Sequence, residues 1–278
     1  MRTHDCPPTL NDSQVLDFCR TGFLMLEGVV ADGINKQTLN YLKANESPTL
    51  SPILNEPWFV EAVICNPQTV GAVRSLLGSD FRLPGLMSNH REQGPFRAAW
   101  WHVDGGHLER PELTSLQVFY YPQDTPLEMG PTEVLPGSHH LTNTAKAMGH
   151  LGRLTGSVST AAPAGSIFLT VYYIWHRRSR ATSSNLRNML KYNYFRTQQP
   201  QRDWIKEPQF NPMDVDYSSP VSLFGEQSYH RKATAKMFFW LCGKAEHFNV
   251  SGGQSWPFAG TTHQRVDEPP NFPQALAF

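Results

Sequence analysis

Three His-x-carboxylate tripeptides occur in the sequence: His90-Arg91-Glu92, His102-Val103-Asp104 and His107-Leu108-Glu109. Residues i and i+2 of an extended chain project to the same side, so each tripeptide could present an imidazole and a carboxylate to one metal ion. A pattern this short recurs by composition alone, so its surroundings must choose. The middle tripeptide ends the aromatic run Phe96 to Val103, expected to be a strand. Gly105-Gly106 follows it, which lets the chain turn away and keeps the remaining coordination positions open. An ordinary His–carboxylate hydrogen bond is the alternative reading of His102 and Asp104. The outer two tripeptides run into Gln93-Gly94-Pro95 and Arg110-Pro111, where turn and loop chemistry suits a ligand pair less well.

A third ligand must come from elsewhere, and His139, His140, His150 and His176 are the downstream candidates. His139 and His140 follow Pro136-Gly137-Ser138, a turn after which exposed side chains are expected. His176 closes the apolar run Ile167 to Trp175, which reads as a buried strand with polar character only at its mouth. Two histidines and one carboxylate form a facial triad that leaves adjacent positions for a bidentate ligand and dioxygen, a pattern of iron chemistry rather than of closed zinc sites. Eleven residues beyond His176, Arg187 opens LRNMLKYNYFR, another expected strand. On a return strand antiparallel to that of His176, its guanidinium would stand deeper than the metal. Its planar fork suits a carboxylate and stays charged when desolvated. Arg177, Arg178 and Arg180 read as a basic loop.

Holding such residues together takes a β framework. Helices are expected over a segment capped by Asn11 or Asp12 and ended by Gly22, with Val15, Phe18 and Cys19 on one face. Others are expected near Ile34 to Ala44, Glu56 to Cys65, and Pro67 to Leu77 with Asn66 as cap, and FLMLEGVV (Phe23 to Val30) reads as a strand. From about Phe81 to Arg196 the texture changes to short aromatic and β-branched runs between turn residues. The fold class expected is therefore mainly β with α: a double-stranded β-helix (jelly roll) core flanked by N-terminal helices. One domain over 1–278 is expected, with a helical part to about residue 80, a core to about 200 and a C-terminal extension beyond. NTAKAMGHLGRLTG is read as a short helix between strands and ATAKMFFWLCG as an apolar helix ending at Gly243, with irregular chain from Asn249.

Lys+Arg and Asp+Glu number 24 each, so no global basic field recruits nucleic acid or an anionic membrane. A small-molecule partner is expected, with neither nucleic acid nor membrane. No apolar run approaches the length of a membrane span or a signal peptide, giving a cytoplasmic expectation. Cys6, Cys19, Cys65 and Cys242 are scattered and read as free thiols, Cys19 and Cys65 in the core.

Several of these segments together resemble the phytanoyl-CoA dioxygenase family of iron(II)- and 2-oxoglutarate-dependent oxygenases. LNDSQVLDFCRTGFLMLEGVV is similar to its N-terminal helix and strand and WHVDGG to its first metal motif. EMGPTEVLPGSHH resembles its central strand and turn, and AGSIFLTVYYIWHRRSRATSSNLR its second histidine with the eleven-residue step to arginine. Arg178 and Ser179-Arg180-Ala181 stand where many relatives carry a small residue and Gly-Pro. The resemblance implies that His102, Asp104 and His176 bind iron(II) and that Arg187 holds the distal carboxylate of 2-oxoglutarate. It implies a non-haem dioxygenase that consumes O2, releases succinate and CO2, and most simply acts as a hydroxylase on a biosynthetic metabolite. Asn89 and Gln117, on strands expected to flank that of His102, are expected to donate hydrogen bonds to 2-oxoglutarate. Trp101, Tyr120, Tyr173 and Trp175 are candidates for the substrate pocket, and Arg97 for an anionic substrate group. Two rival readings remain: a cupin-like metal enzyme that does not use 2-oxoglutarate, and a non-catalytic binding relative.

Overall fold

A computed structural model describes residues 2–104, 111–141, 149–220 and 227–244. Its helices begin where the sequence offers caps. In α1 (Asp12–Thr21) the Asn11 side chain accepts from the Gln14 amide while the Gln14 side chain accepts from Asn11. This reciprocal capping satisfies two amides that the first turn leaves open. Gly22 ends the helix at φ +76°, and the His139 ring lies so close that a Cβ there would come within 2.4 Å of Nδ1. Glycine is therefore required twice over at this position. Helix α2 spans Asp32–Ala44, and α4 (Pro67–Leu77) starts on Asn66, whose side chain accepts from the Thr69 amide. The segment expected as one helix from Glu56 is a single turn, α3 (Pro57–Phe59), that widens into a π turn over Val60–Ile64.

The strands are β1 (Thr3–His4), β2 (Phe23–Leu26), β3 (Phe81–Arg82), β4 (Met87–Asn89), β5 (Glu92–Gln93), β6 (Ser115–Tyr121), β7 (Thr132–Val134), β8 (Val158–Ser159), β9 (Ser166–Val171), β10 (His176–Arg178), β11 (Leu186–Arg187) and β12 (Leu190–Phe195). Seven form one sheet in the order β1-β3-β12-β6-β9-β2, with β4 also on β12; β10-β7-β8 form a second, and β11 pairs with β5. All pairings are antiparallel. Alternation divides the large sheet into two faces. Leu116, Val118, Tyr120, Ile167, Leu169, Leu190, Tyr192 and Tyr194 join the helices in the main apolar core, while Phe119, Tyr121, Phe168 and Met189 form a separate cluster on the other side. That second face looks toward the smaller sheet: Phe119 meets the His176 ring at 5.8 Å, and Thr132 on β7 donates to the Met189 sulfur at 3.3 Å. The architecture is mixed α/β, with helices covering one face of the large sheet and the small sheet facing the other.

The structure corrects several expectations. The run Ile167 to Trp175 is not one strand: β9 stops at Val171, the chain turns through Tyr172 and Tyr173, and His176 opens β10 in the other sheet. Arg187 does not stand beside the His176 strand, since β11 pairs with β5 and β10 with β7. Phe96 to Val103 forms no regular strand. Its bridges Phe96↔Ala181 and His102↔His176 enclose six residue steps on one side and five on the other, so an extra residue bulges out and interrupts the ladder. Arg177 is no free loop cation: it is buried, its Nε donates to Glu133 at 2.6 Å, and its guanidinium lies 4.6 Å over the Trp101 ring. Arg178 pairs with Glu92. Residues 142–148, within the NTAKAMGHLGRLTG segment, and everything from 245 onward lie outside the described residues. The C-terminal helix α5 (Gln227–Leu241) packs Ala235, Met237, Phe238, Phe239 and Leu241 into the main core, and Gly243 follows at φ +72°. The four cysteines are free, Cys19 and Cys242 buried and Cys65 partly so. Among the described residues no helix is long and apolar enough to cross a membrane.

His139 and His140 are buried rather than exposed. Their Nε2 atoms both meet the Cys19 carbonyl, at 3.1 and 2.8 Å, and His140 also meets Thr234 of α5 at 3.2 Å. Burial pushes the His140 pKa down to about 4, a depression that the Cys19 carbonyl opposes and His230 reinforces; burial also drives His139 far down. Each folded pKa lies below the unfolded value, so the unfolded chain binds more protons in acid and stability falls as the pH drops from about 6.5 toward 4. His140 alone is expected to cost about 3 kcal/mol at the acid end of that window. Urea unfolding at pH 7 and pH 4.5 checks this, and His140→Gln should flatten the difference.

Candidate metal centre

His102 and His176 face each other across the bulged bridge, their backbones exchanging hydrogen bonds of 3.0 Å in both directions and their rings 4.4 Å apart. Each Nδ1 lies 3.0 Å from the carbonyl two residues upstream, Trp100 for His102 and Ile174 for His176. A carbonyl can only accept, so Nδ1 carries a proton in each ring and Nε2 is the nitrogen left to face a metal ion or, in His176, Asp104. Asp104 Oδ2 stands 3.4 Å from His176 Nε2, and the ligating atoms of His102, Asp104 and His176 all lie within 4.8 Å of one another. Adjacent ligands of a six-coordinate ion with bonds of roughly 2.1 Å lie about 3 Å apart. Two imidazole nitrogens and a carboxylate oxygen this close together could hold a metal ion, and this donor set fits iron(II).

The electrostatics agree with that fit. Burial, then the neighbouring His176, pushes the His102 pKa down, which keeps its ring neutral as a ligand must be. Burial works to raise Asp104, but His176 and Lys191 outweigh it and hold the carboxyl far below its usual range. Oδ2 of Asp104 also accepts from Gln117 Nε2 at 2.6 Å and from the Lys191 ammonium.

Arg187 is only 2% exposed, and one of its amino groups, Nη1, donates to the Gly130 carbonyl. Its Nε has no acceptor, and among the described residues no carboxylate lies within ion-pair distance of it. Burial lowers its pKa, opposed by Tyr121 and Glu92. Gly130 sits at φ +68°, where a Cβ would meet the Phe96 ring at 2.7 Å and the Ser179 carbonyl at 2.8 Å, so its carbonyl is fixed as the acceptor. Arg187, Met189 and Lys191 follow the two-residue alternation and all reach across to the opposite layer, at Gly130, Thr132 and Asp104. His90, at the rim, is pushed down to about 4 by burial and then by Lys191 and Arg187, while Asp104 opposes. Lys191 therefore touches the triad through Asp104, and Arg187 stands two alternation steps from it on the same side of the chain.

Solved structures with this architecture include HygX from Streptomyces hygroscopicus with nickel and 2-oxoglutarate bound, at TM-score 0.56 and 16% identity over 68% of this chain and 88% of that one. The chain shares the HygX fold. The non-haem α-ketoglutarate-dependent epimerase SnoN from nogalamycin biosynthesis matches at TM-score 0.53 and 17% identity, covering 66% of this chain and 80% of SnoN. EctD from S. alaskensis with bound iron matches at 0.55 and 16%, covering 75% and 85%. No protein-family model matches the sequence, and a search of curated proteins returns no match.

On this HygX-like frame the remaining candidates divide. Gln117 is fully buried and turned to the triad through Asp104. Asn89 donates instead to Asn188 at 3.0 Å, with its own Oδ1 buried and without a partner. Trp101 turns away from His102 into a small cluster with Leu135, Leu141 and Trp175, its indole donating to Gly152 at 3.0 Å. Tyr120 donates to Asn35 at 2.7 Å within the main core, and Tyr173 packs against that core. Arg97 is exposed, and its carbonyl accepts from Arg178. His107 and Glu109 lie outside the described residues. Sequence reasoning missed Lys191 and Tyr172, whose phenol pKa is raised by burial and then by Asp104. Lys191 had one signal: it stands four residues after Arg187, on the same side of an extended chain.

Proposed function

We propose that this protein belongs to the iron(II)- and 2-oxoglutarate-dependent oxygenases of phytanoyl-CoA dioxygenase type, built on a double-stranded β-helix, and hydroxylates a small-molecule metabolite. The carrying observation is Arg187, a buried guanidinium without a carboxylate, on the same side of the chain as Lys191, which touches the ligand group through Asp104. A buried unpaired cation costs several kcal/mol, so a site that keeps one is suited to an anionic ligand. In this reading His102, Asp104 and His176 hold the metal, and Arg187 takes the distal carboxylate of 2-oxoglutarate through its fork. When bound, iron with 2-oxoglutarate and O2 supplies the oxidation, with succinate and CO2 as co-products.

The chain's own contribution is placement. The Trp100 and Ile174 carbonyls fix both imidazole tautomers, Gln117 orients Asp104, and the Phe119, Tyr121, Phe168 and Met189 cluster keeps water from the floor of the site. The likeness to HygX and EctD, solved with 2-oxoglutarate and with iron, supports the choice of cofactors. SnoN, an epimerase, shows that one such frame carries more than one outcome, and hydroxylation is the simplest of them. Anaerobic titration of the iron(II)-loaded protein with 2-oxoglutarate tests the proposal through the weak visible charge-transfer band. The band is expected in the wild type, with 2-oxoglutarate affinity falling on the order of 10²-fold in Arg187→Ala. Iron binding without the band would overturn 2-oxoglutarate as the cosubstrate and leave a cupin-like metal enzyme.

A further inference from the structure

The metal-facing oxygen of Asp104 already holds a cation. Lys191 on β12 places its ammonium on Oδ2, the same atom that lies 3.4 Å from His176 Nε2 and accepts from Gln117 at 2.6 Å. The side chains of Lys191 and Asp104 are 16% and 23% exposed, so the pair is only partly screened by water. Gln117 and Lys191 already use the two lone pairs of Oδ2, so an ion that binds through this oxygen, the one facing His176, displaces one of them, and its charge repels the ammonium. The lysine therefore has to let go when the ion arrives.

Where it goes is limited by its setting. Its stem leaves β12 beside the Phe119 ring, 5.4 Å from the ammonium, and directly opposite Phe119 in the strand register. Its neighbours on the same side of the chain are Met189, which is apolar, then Arg187, already committed to Gly130, and Asn193, whose Oδ1 is neutral. Among the described residues, Asp104 is the only carboxylate within ion-pair distance of Lys191. Neutral oxygens such as Asn193 Oδ1 can take its hydrogen bonds, but among the described residues no second carboxylate is within reach to replace the charge that Asp104 supplied.

We propose, building on the 2-oxoglutarate reading above, that Lys191 is a second anion-holding residue that exchanges partners. In the metal-free protein it neutralises Asp104. Once a divalent ion occupies the triad, it turns to the carboxylate of the 2-oxo acid that binds next to the ion, while Arg187 holds the far carboxylate. No bond is made or broken; one ion pair replaces another. The exchange has a thermodynamic signature, because the same side chain opposes metal binding and favours binding of the oxo acid.

Calorimetric titration of the full-length protein with Mn(II), and of the Mn(II)-loaded protein with 2-oxoglutarate under anaerobic conditions, reads both effects. Lys191→Met is expected to bind Mn(II) on the order of tenfold more tightly and 2-oxoglutarate on the order of tenfold more weakly, each tenfold step being about 1.4 kcal/mol. Lys191→Arg, which keeps the charge, is expected to stay near wild type in both. Opposite shifts exclude a merely structural role, since a loosened site would weaken both. Unchanged or weaker Mn(II) binding in a folded Lys191→Met protein overturns the proposal, as does unchanged 2-oxoglutarate affinity, and in either case the functional reading stands if the wild type binds both. A wild type that binds no Mn(II) overturns the functional reading together with the proposal.

Discussion

Replacing His176 with alanine is expected to lower affinity for a divalent metal on the order of 10²–10³-fold, as read by calorimetry with Mn(II) or iron(II) under anaerobic conditions. Four-ligand protein zinc sites gather about 10–16 kcal/mol of binding, so each ligand carries roughly 2.5–4 kcal/mol, and a ligand of this triad is expected to carry about as much. His176 is also the ligand with least freedom to be replaced. It is 4% exposed, it opens β10, and its Nδ1 is tied to the Ile174 carbonyl. The fold should survive, because the backbone exchange with His102 does not involve the side chain, and the lost packing amounts to about 1–2 kcal/mol. His90→Ala supplies the control: His90 lies at the rim near the same charges but outside the ligand group, so metal affinity should stay near wild type. Wild-type metal affinity in His176→Ala would mean that the ion is held somewhere other than this triad.

The parts of the structure legible in the sequence are those set by short-range chemistry. Asn11 with Gln14, Gly22, and Asn66 before Pro67 announce helix ends because caps and left-handed glycines act within a few residues. The β6 and β12 strands announce themselves as short aromatic and β-branched runs between turn residues. What stayed hidden depends on partners far along the chain. The bulge in Phe96 to Val103 exists only relative to the segment from His176 to Ala181, so the run reads as an ordinary strand. His139 and His140 sit after a turn that predicts exposure, but α1, about 120 residues earlier, and α5, about ninety residues later, cover them. The turn at Tyr172 and Tyr173 interrupts an apolar run whose composition gives no sign of changing sheets. For the site, the His-x-Asp spacing and the position of His176 were enough to name three side chains that converge. The exchange partner Lys191 was not, since a lysine in a strand ordinarily faces solvent.

Asp12→Ala is expected to destabilise the folded protein by about 3–5 kcal/mol, the cost of breaking a buried ion pair from one side. Asp12 looks like a helix-capping residue in the sequence, but Asn11 does the capping and Asp12 turns inward, fully buried. Its carboxylate accepts from Arg202 Nε and Nη2 at 2.6 and 2.5 Å, from the Trp204 indole at 2.7 Å and from the Glu207 amide at 2.7 Å. One side chain in α1 thus fastens the segment that follows the large sheet, across about 190 residues of sequence. Alanine would take a buried acceptor from a guanidinium 8% exposed, and leave an indole N–H and a backbone N–H without this acceptor, in a region where Trp204 belongs to the main core. Asp12→Asn keeps the shape and one acceptor oxygen, so about half the loss is expected. Burial alone would raise the Asp12 pKa, but the Arg202 contacts, with help from Glu207 and Trp204, outweigh it and hold the carboxyl below its usual value. The folded pKa being the lower one, this stabilisation is complete above the unfolded value near 4 and is lost as the pH falls through the folded one. Urea unfolding of the wild type and both variants at pH 7 measures the effect. A loss under about 1 kcal/mol in Asp12→Ala would place it among ordinary surface substitutions and show that segment 202–207 is held by packing rather than by this carboxylate.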